Sequence, residues 1–166
     1  SCGLDCPVEQ VTWFDAVTFA NALSDKEGLS SCYRINGNDV VWSDLDCTGW
    51  RLPTEAEWEY LARGGEEHLY SGSNNVGDVA CIIDNCSHET HPVGQKAANA
   101  FGLFDMSGNV LEWTWDLMGD YSSTLVTDPR GPSSGSRRVF RGGSCNNNAS
   151  FARSSYRVSS EPSMPF

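Results

Sequence analysis

Positive charge is what this chain has least of: Lys and Arg number 11 against 22 Asp and Glu, a formal net charge of −11 over 166 residues. A nucleic-acid footprint needs clustered Lys and Arg to displace counterions, and only a few Arg cluster, late in the chain. Nucleic acid is therefore disfavoured as a partner. No apolar run approaches the roughly 20 residues that span a bilayer, which excludes direct membrane insertion as a helix. A charged n-region followed by an apolar stretch is missing too, so any signal peptide is expected to have been removed or never to have belonged here. Histidine is scarce, limited to His68, His88 and His91, and no repeat or low-complexity block appears. The chain has 39% hydrophobic residues, 16 Gly and 6 Trp. That length and composition suit one domain spanning residues 1–166, because a chain near 150 residues buries about 68–70% of its unfolded surface.

Cysteine is abundant, with seven residues spaced as Cys2/Cys6, Cys32/Cys47, Cys81/Cys86 and a solitary Cys145. Three local pairs and one remainder read more simply as disulfides than as a metal centre. Zinc sites usually pair ligands in C-x2–4-C or H-x3–5-H knuckles; 2/6 has that spacing and His88/His91 comes close, but no second cysteine knuckle completes a set. Free buried thiols are the third reading. Bridges point to an oxidising compartment, hence to a secreted or cell-surface protein. Cys145 is either a small buried hydrophobe or an odd cysteine that bonds another chain, Cys2 or Cys6.

The pattern predicts an α+β domain with much irregular loop. Trp13, Ala16, Val17, Ala20 and Leu23 recur at helical spacing, with Thr12 and Asp15 as a capping box and Gly28 as the stop. Two β-rich runs, Cys32–Ile35 and Val40–Trp42, flank Asn36-Gly37 and predict a hairpin with a loop longer than two residues. A second helix follows Pro53, with Thr54 and Glu57 as the box, acidic residues in the first turn, Gly64 as the stop and Trp58, Leu61 and Ala62 facing a core. Residues 66–100 are irregular, and a stretch so long needs an internal brace or a purpose. Short strands are predicted at Leu111–Trp115 and Arg138–Arg141, separated by a Ser/Gly/Pro-rich loop, Tyr121–Arg137.

Four runs, in order, carry a resemblance: Pro7–Ala16 (PVEQVTWFDA), Gly49–Tyr60 (GWRLPTEAEWEY), Phe101–Trp113 (FGLFDMSGNVLEW) and Arg138–Ser144 (RVFRGGS). Together they resemble the formylglycine-generating enzyme (sulfatase-modifying factor) family, whose fold is a variant of the C-type lectin fold. The resemblance implies two helices packed on short twisted antiparallel sheets, stapled by disulfides. It also implies that the family's opening β segment and closing Gly-Phe-Arg strand are absent from this chain.

Catalytic members bind copper through two cysteines shortly after Gly-Gly-Ser. Those positions fall here on Asn147 and Ala152, neither of which forms a thiolate. No catalytic residue, and neither copper nor iron, is therefore expected; the iron-dependent branch uses a histidine site, and His88 and His91 read as surface residues. The resemblance does imply a structural calcium, held by Asp105 and Glu112 with the carbonyls of Gly108 and Val110. Hard oxygen donors suit that ion, although a Gly-Asn turn whose Glu caps backbone amides would read the same way.

The late run Cys145–Pro162 is rich in Asn, Ser, Tyr and Arg, a composition suited to recognition surfaces. It resembles the variable region of surface proteins diversified by retroelements. On that reading Asn146, Asn148, Ser150, Phe151, Ser155, Tyr156, Val158 and Ser159 would be exposed and contact a protein or glycan ligand. Arg153 and Arg157 would belong to the scaffold, held by carboxylates. A plain connecting loop is the competing reading. The sequons Asn85-Cys86-Ser87 and Asn148-Ala149-Ser150 matter only in a glycosylating source. The function expected is thus a non-catalytic extracytoplasmic binding module. A structural subunit of an extracellular assembly, completed by neighbouring chains, is the alternative, and a residual oxidase comes last.

Overall fold

A computed structural model describes residues 3–43 and 47–166. Helix α1 runs Trp13–Lys26 and is opened by the expected box: Thr12 Oγ1 accepts from Asp15 N at 3.0 Å, and the Asp15 carboxylate accepts from Thr12 N at 2.9 Å. The hairpin β1 (Tyr33–Asn36) and β2 (Asp39–Trp42) pairs Asn36 with Asp39. Its loop is thus the two residues Gly37-Asn38, shorter than the sequence implied, because the strands extend one residue further on each side of the turn. Helix α2, Glu55–Arg63, carries the Thr54–Glu57 box and ends on Gly64 in the left-handed region (φ 61°). Trp58 and Ala62 are buried as expected, but Leu61 is 38% exposed. The buried stripe of α2 runs Glu55, Trp58, Ala62, and Leu61 lies one position off it.

The irregular stretch contains single-turn helices α3 (Val76–Val79) and α4 (Ile83–Cys86), with a two-residue strand β3 (Ala80–Cys81) between them. β3 pairs in parallel with β4, Ser107–Gly108, a connection the sequence pattern did not reveal. Gly108 has no alternative there: at φ 80° an added Cβ would sit 2.2 Å from the Cys81 carbonyl oxygen. The three-stranded antiparallel sheet is β5 (Glu112–Leu117), β6 (Arg138–Arg141) and β7 (Val158–Ser160), in that order. Strand β7 lies inside the segment read as a loop.

The main core gathers Trp13, Val17 and Ala20 from α1, Tyr33 and Trp42 from the hairpin, and Trp113 and Phe140 from the sheet. Trp115 sits among three other rings, stacked on Tyr33 at 5.3 Å and meeting Trp13 at 5.4 Å and Trp42 at 5.3 Å. Arg138 covers the Trp13 ring at 3.9 Å. Disulfides Cys32–Cys47 and Cys81–Cys86 are formed. Cys6 is also disulfide-bonded, and Cys2 lies outside the described residues. Cys145 is a buried free thiol. Among the described residues no helix is long and apolar enough to cross a membrane.

α2 is tied to the sheet by charge. Arg141, 0% exposed, donates to Glu55 at 2.9 Å and to Glu59 at 2.6 Å, and Arg157 donates to both Glu55 oxygens at 2.6 and 2.7 Å. Removing one partner of a buried ion network strands the others. Glu55→Ala is therefore expected to cost about 3–5 kcal/mol of unfolding free energy in urea titrations. Thr54→Ala, which deletes only the cap, should cost about 1 kcal/mol.

Candidate functional site

Strand β6 is followed by Gly142-Gly143-Ser144, and the late segment starts there. Its first turn is closed by Asn147, whose Oδ1 accepts from Ser144 N and Oγ, both at 3.0 Å, and whose carbonyl accepts from Ile83 N at 3.0 Å. Asn148 then caps a 3-10 turn, Ala149–Ala152, accepting from Ser150 N at 3.0 Å. Ala152 is fully buried, and its carbonyl accepts from Ser107 Oγ at 2.8 Å. Asn147 and Ala152, onto which the family resemblance carries the two copper-ligand positions, are thus both residues that shape this turn. Phe151 and Tyr156 pack ring to ring at 4.6 Å.

Of the residues expected at the surface, Asn146, Asn148, Ser150 and Ser155 are exposed, while Phe151, Tyr156, Val158 and Ser159 are half-buried. Val158 departs furthest: it pairs with Phe140 in β7 and packs on the main core. Ser159 Oγ accepts from Arg137 Nε at 3.1 Å. The alternation of Val158 and Ser160 was the one signal of this strand, and three residues are too few for it to stand out. Arg157 is held by a carboxylate, as anticipated. Arg153 has no carboxylate partner among the described residues; its Nε donates to the Ser150 carbonyl at 2.9 Å.

The turn Asp105–Glu112 precedes and opens β5. Asp105 (φ 56°), Gly108 (φ 80°) and Asn109 (φ 64°) all occupy the left-handed region, which these residue types tolerate best. Asp105 Oδ2 accepts from Gly94 N at 2.7 Å, and Glu112 Oε2 accepts from Trp58 Nε1 at 2.6 Å. Burial pushes the Glu112 carboxyl up to about 7, and the negative charge of Asp105 adds to the rise. The Met106 and Val110 carbonyls lie beside Gly142, where an added Cβ would stand 3.5 and 3.8 Å from them. A buried carboxyl whose charge is disfavoured by Asp105 offers the kind of oxygen donor that a hard cation takes.

A cleft of about 520 Å3, missed at the sequence level, lies between α2 and the loop after β5. Glu55, Asp116, Tyr121, Arg130 and Arg157 line it. Tyr121 Oη donates to Glu55 at 3.2 Å, and the Arg157 guanidinium lies 4.0 Å from the Tyr121 ring centre. Asp116 accepts from Glu55 N at 2.7 Å, yet burial pushes its carboxyl up to about 6, with the Glu55 charge adding to the shift. The acidic residues were visible one by one; that they meet beside Arg157 depends on pairings 102 residues apart.

Over residues 3–165 the chain matches the family described as Sulfatase-modifying factor enzyme 1-like domain, and it belongs to that family. It is 41% identical over 148 residues to Chaperone protein LppX of Paenibacillus barcinonensis, covering 69% of this chain and 53% of that protein. The Formylglycine-generating enzyme of Thermomonospora curvata is 34% identical over 158 residues, covering 83% and 44% respectively. The chain thus spans about half the length of these curated relatives. Among solved structures, Treponema denticola variable protein 1 aligns with a TM-score of 0.91 at 35% identity, over 100% of this chain and 71% of that one. The structure of CarF aligns with a TM-score of 0.77 at 29% identity, over 98% and 64%.

The raised Asp116 carboxyl has a consequence for stability. A carboxyl whose folded value exceeds its ordinary one favours folding while protonated, so its contribution is full below pH 3.8 and lost as pH rises through about 6. Asp116→Asn should therefore flatten the fall in unfolding free energy across this window, the two proteins diverging by about 2–3 kcal/mol between its ends. Urea titrations of both proteins at stepped pH check it, and parallel curves would count against the assignment.

Proposed function

We propose that this chain is a non-catalytic, extracytoplasmic binding module. It holds a structural calcium and presents the late segment to a protein or glycan ligand. The observation that carries the reading is that Asn147 and Ala152, which stand where the family resemblance puts the copper ligands, are each committed to packing and hydrogen bonds within the turn. The segment is fixed at one end by Gly142-Gly143-Ser144 and Asn147, and at the other by β7 and the Arg157–Glu55 pair. Between these anchors Asn146, Asn148, Ser150 and Ser155 face solvent. Side chains that move little and offer polar contacts suit recognition at low entropic cost. The likeness to a solved variable protein over the whole chain supports the same reading. The formed disulfides support an oxidising compartment.

Calcium would be held by the second oxygens of Asp105 and Glu112 and by the Gly108 and Val110 carbonyls. It would supply positive charge where two carboxylates meet and fix the turn that opens β5. Its role would be structural rather than chemical.

Two measurements test the proposal. Copper-supplemented protein incubated with a cysteine-containing peptide should leave the peptide's mass unchanged, and oxidation of its cysteine would overturn the non-catalytic reading. Calcium at a hundredfold above its dissociation constant should raise the unfolding free energy by about 2.7 kcal/mol. Glu112→Gln should abolish that increment, and an equal gain in the variant would move calcium elsewhere.

A further inference from the structure

The fold brings together a ligand set that sequence spacing did not complete. The Cys81 and Cys86 sulfurs and a ring nitrogen of His91 all lie within 4.8 Å of one another. Both cysteines are 3% exposed, whereas His91 is exposed and gives the cluster an opening to solvent. Cys145, 4% exposed and a free thiol, packs against the same two cysteines, although its sulfur is not within 4.8 Å of all three of those ligand atoms. Its partners come from three separate stretches of chain, β3 to α4, the loop that follows, and the first turn after β6.

One buried side chain aligns these stretches. Asn109 N donates to the Cys81 carbonyl at 2.8 Å, and its own carbonyl accepts from Cys145 N at 3.0 Å. Asn109 Oδ1 accepts from His91 N at 3.1 Å, and its Nδ2 donates to the His91 carbonyl at 3.2 Å. Ser87 (φ 53°) and His88 (φ 63°) turn the chain back after Cys86 and so return His91 to the pair. Three sulfurs and an imidazole are the donor set of a Cys3His site, and Cys81 and Cys86 have the C-x4-C spacing of a second zinc knuckle, contrary to the reading of the sequence that counted only 2/6.

We propose that the reduced chain binds a soft d10 cation, Zn2+, at Cys81, Cys86 and His91, with Cys145 as the fourth ligand. The bridge and the ion are then alternatives on the same two sulfurs. A thiol reductant delivers two electrons to the Cys81–Cys86 bond and two protons to its sulfurs, and leaves as its own disulfide. Zn2+ next displaces the protons of Cys81, Cys86 and Cys145 to solvent, while His91 coordinates as the neutral imidazole. A tetrahedral ion with bonds of about 2.0–2.3 Å needs ligands about 3.3–3.8 Å apart, so the sulfurs separate once the bridge opens while His91 stays within its present reach. Oxidising compartments would keep the bridge; reducing ones would favour the ion.

The test uses the whole chain with Co2+ as the probe, before and after anaerobic reduction by a phosphine. The reduced protein should develop thiolate-to-cobalt charge transfer and tetrahedral d–d bands at one equivalent, bleached by Zn2+. The oxidised protein should develop neither. Reduction also frees Cys6, Cys32 and Cys47, so the double variant Cys81→Ser/Cys86→Ser must lose the spectrum; its survival would overturn the assignment. His91→Ala should weaken zinc by about tenfold or more, and unchanged affinity would remove His91 from the site. Cys145→Ser should lower the charge-transfer intensity, and an unaltered spectrum would reduce the site to three protein ligands. Should the reduced apo chain unfold, zinc should restore its far-ultraviolet circular dichroism, and failure to restore it would sink the proposal.

Discussion

Glu55 is the residue on which most of this fold converges. It opens α2, and its carboxylate takes Arg141 from β6, Arg157 from the late segment and Tyr121 from the loop after β5. Its backbone N–H meets Asp116 of β5. Three parts of the chain are therefore oriented by one buried side chain, and β5 by the backbone N–H of the same residue. Ion networks this deep are costly to desolvate and give little net stability over a well-packed apolar equivalent, but they tolerate almost no rearrangement. The strength of the arrangement is positional: α2 cannot shift along the sheet without stranding two guanidinium groups.

β5 shows how the same strand serves two environments. Trp113 and Trp115 join aromatic contacts on one side, with Trp113 stacked on Phe140 and Trp115 among Trp13, Tyr33 and Trp42. Glu112 and Asp116 turn to α2 and meet Trp58 and the first turn of that helix. Both carboxyls are pushed up by burial. The difference lies in their neighbours. Glu112 has Asp105 near it, with no arginine among the charges that shift it, whereas Asp116 has Arg138 and Arg157 as well as Glu55. The first environment is where the proposed calcium would supply positive charge, and the second already has its own.

Much of the frame was legible because it is local. Thr12–Asp15 and Thr54–Glu57 announce helix starts through bonds three residues long, and Gly64 announces a stop through its own backbone. The family resemblance then supplied the order of the rest. What was not legible depends on contacts far apart in sequence. Val158 reads as one apolar residue in a polar run until β6 lies beside it. Leu61 reads as core until the position of Trp58 fixes which stripe of α2 faces inward. His91 is a surface residue, as read, but its place beside the Cys81–Cys86 pair shows only once Asn109 ties its backbone to the turn opposite.

The late segment joins these two kinds of information. Its anchors are long-range: the turn at Asn147 bonds to Ile83, Ser154 N bonds to the Leu69 carbonyl, and Arg157 reaches Glu55. Its exposed side chains are bound, where they are bound at all, only to neighbours within the turn, as Asn148 is to Ser150. Substituting an anchor disturbs partners across the molecule, whereas substituting Asn146 or Ser155 disturbs no described long-range bond. A scaffold divided in this way can change what it presents without changing how it folds, because the energy that fixes the segment does not pass through the residues at its surface.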